Sequence, residues 1–308
     1  MDPGLFPEPK GSWEYAGGVT KEASEATGLK EGTPVAFGAG DVCSSALGSG
    51  CIEDKQVNVI IGTAGIYTYN TSKPKPNRRW GIDCHAVPGK YLLLAPSLTG
   101  GSALRWFKDE LMVQIERDFI EKRKRVYECL DELAATSPPG SNGIMFWPFL
   151  SGERSPINKP NARGSFMGLA LWSKRCDIVR AILEGVAYSA KDNLGLFEES
   201  GLTIKEARIS GGGKRSKLWC SIISDVVGYP LIATESEEDG ALGAAIEAGC
   251  AAGTFKNPIE GAKSMVKIAS RFEPNPENHN QYSKLFSLYR SYYGKLWDWY
   301  EEFSDLNE

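Results

Sequence analysis

Ala207-Arg208-Ile209-Ser210-Gly211-Gly212-Gly213-Lys214-Arg215-Ser216 carries the pattern that decides the fold class. Apolar residues alternate into a run of three glycines, and an apolar-periodic stretch at 215–227 follows. This reads as a short strand, a glycine turn and a helix. Downstream, Pro230-Leu231-Ile232-Ala233 reads as another strand and 241–252 as a helix of small residues. Strand–helix alternation of this kind predicts an α/β sheet with helices packed on it. Upstream, Ile178, Ile182 and Val186 fall at i, i+4 and i+8, which makes one apolar helix face.

The first third is organised differently. A helix at 20–28 ends at Gly28, and Thr33–Gly38 reads as a buried strand running into Asp41, with a helix from Ser44. Val57–Ile61 and Ile66–Tyr69 flank Gly62-Thr63-Ala64-Gly65, a hairpin by turn chemistry. A strand is expected at Tyr91–Ala95, a helix opening at Gly100-Gly101-Ser102, a helix at 114–135 and a strand at Ile144–Trp147. The loop 148–174 is too long for a simple connector, which implies a binding or packing role. Aromatic residues from Tyr282 to Phe303 recur at three-to-four spacing, as one amphipathic helix packed on the core.

Composition narrows the function. With 308 residues, 42% hydrophobic and 24% charged, the chain has the make-up of an ordinary globular protein. A net charge of −4 argues against nucleic acid. The one basic cluster, Lys122 to Arg125, lies beside Glu121 and Glu128 and reads as a solvated face. No apolar run is long enough to span a membrane, and the first residues lack the pattern of a secretory signal. Seven scattered cysteines and two histidines read as buried reduced thiols in a cytoplasmic protein, without a zinc or histidine metal site.

Three glycine turns follow strands: Gly38-Ala39-Gly40-Asp41, Gly62–Gly65 and Gly211–Gly213. Glycine lets backbone N–H groups approach a phosphate, and the third turn opens a helix whose N-terminus favours an anion. Together they point to phosphate binding without a GxxxxGK[ST] loop. Asp41 is the acidic residue framed by such a turn. Its carboxylate suits a proton acceptor in phosphoryl transfer, and equally an N-cap for the helix that follows.

Several blocks resemble the FGGY family of carbohydrate kinases. "GTPVAFGAGDVCSSALGSG" resembles the segment with the catalytic aspartate, and the match falls on Asp41. "IIGTAGIY" is similar to the hairpin that grips the β- and γ-phosphates, matching Gly62 and Thr63. "TGGSALRWF" places Gly101 and Arg105 at a nucleotide contact. "FWPFLSGERSPINKPNARGSFMGL" and "RAILEGVAYSAKDNL" resemble the long family loop and the helix behind it. "ISGGGKRSKLWCSIISDVVGYPL" with "EDGALGAAIEAG" resembles the adenosine signature, bringing in Gly212, Gly213 and Ser216. These blocks keep the family's order over roughly residues 5–300.

The resemblance implies an actin-like ATPase fold of ribonuclease H-like topology and, within it, the C-terminal nucleotide-binding domain over 31–308. Residues 1–30 would be a remnant of the interdomain or N-terminal region. It implies ATP, Mg²⁺ and a sugar as ligands, with Asp41 as general base. Arg105 and Ser216 stand where glycerol kinases carry Gln and Asn, which places the chain nearer the xylulokinase branch and a ketose such as D-xylulose. The DxGTS-like phosphate loop that opens family members does not occur here. Two readings follow: the C-terminal part of a sugar kinase, inactive as an isolated fragment, or a silent nucleotide-binding subunit. The second would need a separate N-terminal chain; the partner expected is such a chain or a second copy in a homo-oligomer.

Overall fold

The computed structural model describes residues 3–5, 7–112 and 126–305. Its first unit is a small two-stranded sheet. Strand β1 (Tyr15–Gly18) pairs antiparallel with β2 (Pro34–Ala36) across helix α1 (Lys21–Thr27). Thr20 caps the start of α1 and left-handed Gly28 its end. The main sheet contains β3 (Gln56–Ile61), β4 (Gly65–Thr71), β5 (Gly81–Cys84), β6 (Tyr91–Ser97), β9 (Glu206–Ser210), β10 (Leu231–Thr234) and β11 (Ile268–Phe272). Their order across the sheet is β11-β10-β9-β3-β4-β6-β5. Strands β3, β9 and β10 are parallel; the remaining pairings are antiparallel. Short strand β7 (Met145–Trp147), just before the long loop, forms a separate pair with β8 (Ser165–Met167) within it.

The sheet is mixed because a tight hairpin joins β3 to β4, whereas helices join β9 to β10 and so keep those strands parallel. Helices α2 (Asp41–Gly48), α3 (Ser102–Leu111), α4 (Val126–Ala135) and α5 (Arg175–Glu199) precede β9. After it come α6 (Lys217–Val227), α7 (Asp239–Ala251), α8 (Pro258–Met265), α9 (Pro276–Tyr293) and α10 (Trp297–Asp305). Among the described residues no helix is long and apolar enough to cross a membrane.

Side-chain alternation sorts the two faces. Val57, Val59, Ile61, Tyr67, Tyr69, Ala207 and Ile209 enter the main core with α5, α6 and α9. Burying each large apolar side chain contributes roughly 2 kcal/mol. The alternate residues Asn58, Thr68, Asn70 and Ser210 are also buried, so both sheet faces are covered. Near that side of the sheet, α2, α7 and α8 build a smaller apolar cluster around Leu47, Ile52 and Ile246.

Contact between α2 and α7 is unusually close. A Cβ on Gly243 would lie 1.9 Å from the Ser44 carbonyl oxygen, and one on Gly48 would lie 1.9 Å from that of Asp239. Both obstacles are backbone, so neither can move aside.

Four expectations need correction. Strand 33–38 is not buried: Val35 and Phe37 are 43% and 52% exposed, because β2 has only β1 as a strand neighbour. Edge strand β5 was not foreseen, since its four residues are all exposed and carry no apolar signal. The C-terminal aromatic stretch is two α-helices separated by a 3₁₀ turn at Gly294–Leu296. Its Tyr282, Tyr289, Tyr293 and Tyr300 are buried, in keeping with the core role. All seven cysteines are free, but Cys84 is exposed and Cys176 and Cys250 are half-buried. The helix expected at 114–135 is described from Val126 onward; the basic cluster 122–125 lies outside the described residues.

Gly243→Ala should lower the unfolding free energy by about 3 kcal/mol through forced separation of α2 and α7. Gly240→Ala, whose nearest obstacle is 3.9 Å away, should change it by less than about 0.5 kcal/mol. Urea denaturation of both variants checks the contrast.

Candidate functional site

The candidate residues gather along one edge of the main sheet. The carboxyl ends of β3, β6, β9 and β10 share it with the start of β4: Ile61 pairs with Gly65, Gly65 with Ser97, and Ile60 with Ser210. Open α/β sheets offer their ligand crevice at such an edge.

At its centre is the β3–β4 hairpin tip. The Gly101 N–H donates to the Gly62 carbonyl at 2.7 Å and the Gly100 N–H to that of Thr63 at 2.9 Å. The Ser102 hydroxyl donates to the same Thr63 carbonyl at 2.6 Å. Neither glycine of the 100–101 turn tolerates a side chain, because a Cβ on Gly100 would stand 2.5 Å from the Ala64 carbonyl oxygen and one on Gly101 2.8 Å from that of Gly62. From the first turn of α3, the Arg105 guanidinium reaches the Thr63 hydroxyl at 3.3 Å. Thr63 and Arg105 are both exposed, so a cation and a hydroxyl stand together at the rim.

The β9 turn closes on the other side of the hairpin. Gly211 takes φ +78°, and a Cβ there would lie 2.7 Å from the Ile61 carbonyl oxygen. A Cβ on Gly213 would come within 2.6 Å of the Ile61 side chain. Gly212 has open space around it and is exposed. This glycine turn does not open the α-helix, contrary to expectation. One 3₁₀ turn, Gly212–Arg215, intervenes, and Ser216 is the N-cap of α6, accepting from the Trp219 N–H at 2.9 Å. Burial pushes the carboxyl of Asp131 on α4 above the ordinary range.

Asp41 is the first residue of α2 and is exposed; its Oδ1 accepts from the Val42 N–H at 2.8 Å. The N-cap position belongs to Gly40, which makes no side-chain cap. Asp41 closes the Gly38–Asp41 turn but shares no hydrogen bond with the Gly62–Gly65 or Gly211–Gly213 turns. Its helix is tied to them one turn later, where the Ser45 hydroxyl donates to Ser210 Oγ at 3.2 Å. Ser210 in turn donates to Asn58 Oδ1 at 3.2 Å. The close α2–α7 contact fixes the same helix from behind.

Several residues at this edge were not singled out from the sequence. The Lys214 side chain is 5% exposed and pairs with Asp239 at 2.5 Å; Thr234 donates to the same carboxylate. That pair links the β9 turn to the start of α7, and a basic residue directly after three glycines was its only signal. Ser45 and Ser210 carried none, since hydroxyls of this kind are common on helices and strands. Glu153, in the 148–174 loop, is 1% exposed and hydrogen-bonds the end of β6. Burial pushes its carboxyl up to about 7 against several hydrogen bonds that favour the ionised form.

Among the described residues no group of three or more His, Cys, Asp or Glu side chains gathers to hold a metal. A separate cavity of about 360 Å³ is lined mainly by apolar residues, including Phe107, Met112, Phe166, Leu169 and Ile178, and by none of the candidate site residues.

The family model for the C-terminal domain of the FGGY family of carbohydrate kinases matches residues 57–252. The chain belongs to this family. A xylulose kinase of Staphylococcus epidermidis is 32% identical over 294 residues, covering 94% of this chain and 57% of its own length. An autoinducer-2 kinase of Enterobacter sp. (strain 638) is 33% identical over 285 residues, covering 90% of this chain and 53% of that protein. The crystal structure of a xylulose kinase from Rhodospirillum rubrum superposes with a TM-score of 0.83 at 29% identity, over 98% of this chain and 59% of that one. The mixed sheet with its flanking helices is thus the actin-like ATPase fold in the form of an FGGY C-terminal domain. The chain spans somewhat more than half the length of these relatives.

Gly213→Ala should destabilise the FGGY domain by about 2 kcal/mol, since the root of the Ile61 side chain cannot yield. Gly212→Ala should cost less than about 0.5 kcal/mol. Equal losses in thermal unfolding would contradict the packing described for this turn.

Proposed function

We propose that this chain is the nucleotide-binding part of an ATP-dependent sugar kinase, with a ketose such as D-xylulose as substrate and Asp41 as the general base. One observation carries the reading. The Gly62–Gly65, Gly100–Gly101 and Gly211–Gly213 turns, Thr63 and Arg105 share a single sheet edge, and the carboxylate of Asp41 begins a helix anchored to that edge. Family membership supports it, and so does the likeness to proteins named as xylulose kinases.

In this reading the Gly62–Thr63 tip and the Arg105 guanidinium hold the β- and γ-phosphates, while Gly101 keeps α3 against the tip. The open Gly212 admits the nucleotide backbone to close contact. Gly213 and Ser216 seat the turn that faces the adenosine. ATP supplies the transferable phosphoryl group. Mg²⁺ bound with ATP would shield phosphate charge, and no residue of this chain is assigned to it. Asp41 accepts the proton of the sugar hydroxyl as that oxygen becomes a nucleophile. Its exposure leaves the carboxylate free to meet a substrate. Most of the remaining work in such a transfer is positioning and charge neutralisation.

A second reading keeps the nucleotide site without turnover: a module that binds ATP or ADP and acts only with a separate N-terminal chain.

Both are tested by ATP consumption with D-xylulose and a panel of other sugars, for this chain alone and mixed with a separately produced N-terminal domain. Sugar-dependent turnover should appear in the mixture, and Asp41→Asn should reduce it by about 10³-fold while changing ADP affinity by less than about twofold. Near-normal turnover in Asp41→Asn would remove this residue from the role. Failure to detect ADP binding by calorimetry at millimolar ligand would overturn the nucleotide site itself.

A further inference from the structure

We propose that Glu153 is a positioning residue for the nucleotide site: its carboxyl clamps the 97–101 segment, which in turn holds the Gly62–Thr63 tip. This inference rests on the nucleotide reading above and extends it to the 148–174 loop.

The geometry begins with burial. Glu153 is 1% exposed, and Ser97, Thr99 and Gly100 are buried beside it in the chain of contacts that leads to the hairpin. Its Oε1 accepts from the Leu98 N–H at 3.2 Å and from the Arg154 N–H at 2.8 Å. Its Oε2 lies 3.1 Å from the Ser97 hydroxyl. Ser97 ends β6, and two residues later the chain turns so that Gly100 and Gly101 donate to the carbonyls of Thr63 and Gly62. One carboxyl group therefore joins the long loop to the strand end from which the tip is held. The Glu153 backbone pairs with that of Lys159, with hydrogen bonds of 2.9 and 2.7 Å, which stiffens the loop around it.

Proton counting adds a second constraint. The Ser97 oxygen sits 3.1 Å from the Thr99 carbonyl oxygen and 3.1 Å from Glu153 Oε2. A hydroxyl has one hydrogen and cannot donate to both. If Glu153 carries a proton, it donates to Ser97, Ser97 donates to Thr99, and every group is satisfied. The raised carboxyl, near 7 through burial, agrees with this arrangement. An isosteric amide reproduces it: the Gln carbonyl accepts from Leu98 and Arg154, and its NH₂ donates to Ser97. Alanine removes the shared acceptor of the Leu98 and Arg154 N–H groups and one of the two partners of the Ser97 hydroxyl.

The test uses the whole chain in three forms: wild type, Glu153→Gln and Glu153→Ala. Amide hydrogen exchange is read at Leu98, Gly100 and Gly101, and ADP affinity by calorimetry. Glu153→Ala should speed exchange at these amides and weaken ADP binding, each by about tenfold. Glu153→Gln should stay within about threefold of wild type in both. Unchanged exchange and affinity in Glu153→Ala would overturn the proposal. So would equal acceleration throughout β3, β6 and β9, which would mark a purely structural residue. If wild type binds no ADP, the nucleotide reading falls and this role falls with it, while the exchange data still decide whether the clamp exists.

Discussion

The tip of the β3–β4 hairpin is held by close backbone contacts on both sides, with the Ser102 hydroxyl and the Arg105 guanidinium added, and the other parts of the candidate site are arranged around it. Gly101 donates to the Gly62 carbonyl on one side, and the Gly211–Gly213 turn presses against Ile61 on the other. Neither contact leaves room for a Cβ, so two loops from distant parts of the sequence approach the strand end more closely than side chains would permit. Thr63 and Arg105 add a hydroxyl and a positive charge at the same point.

A second close approach, between α2 and α7, performs the analogous task for Asp41. Gly48 and Gly243 let the two helix backbones touch, and the Ser45–Ser210 hydrogen bond ties α2 to the end of β9. The start of α2 is therefore fixed by packing behind it and by a hydroxyl pair beside it, while its first carboxylate stays open to solvent. The buried Lys214–Asp239 pair then joins the β9 turn to the start of α7. Removing one partner of such a pair costs about 3 to 5 kcal/mol, so turn and helix are expected to move as one body.

Much of this was legible in the sequence because it rests on local signals. Hairpin 56–71 followed from β-branched runs around Gly62–Gly65, and helix 175–199 from its apolar spacing. What escaped was set by distant contacts. Val35 and Phe37 look like core residues locally, but β2 has one strand neighbour and leaves them exposed. Edge strand β5 pairs with β6 without an apolar face. The Gly211–Gly213 turn has the local pattern of a helix start, whereas a 3₁₀ turn packed against Ile61 precedes the Ser216 cap. At the site, the glycines announced themselves as turns. Ser45, Lys214 and Glu153 matter through partners 165, 25 and 56 positions away, which no local pattern encodes.

The most direct test of the central claim, that these turns form one nucleotide site, is an ADP titration followed amide by amide in ¹⁵N-labelled protein. The account predicts shifts concentrated at 62–65, 100–105 and 211–216, saturating with a single affinity. Shifts confined to the apolar cavity around Phe107, Met112 and Leu169, or different affinities for the three turns, would contradict it.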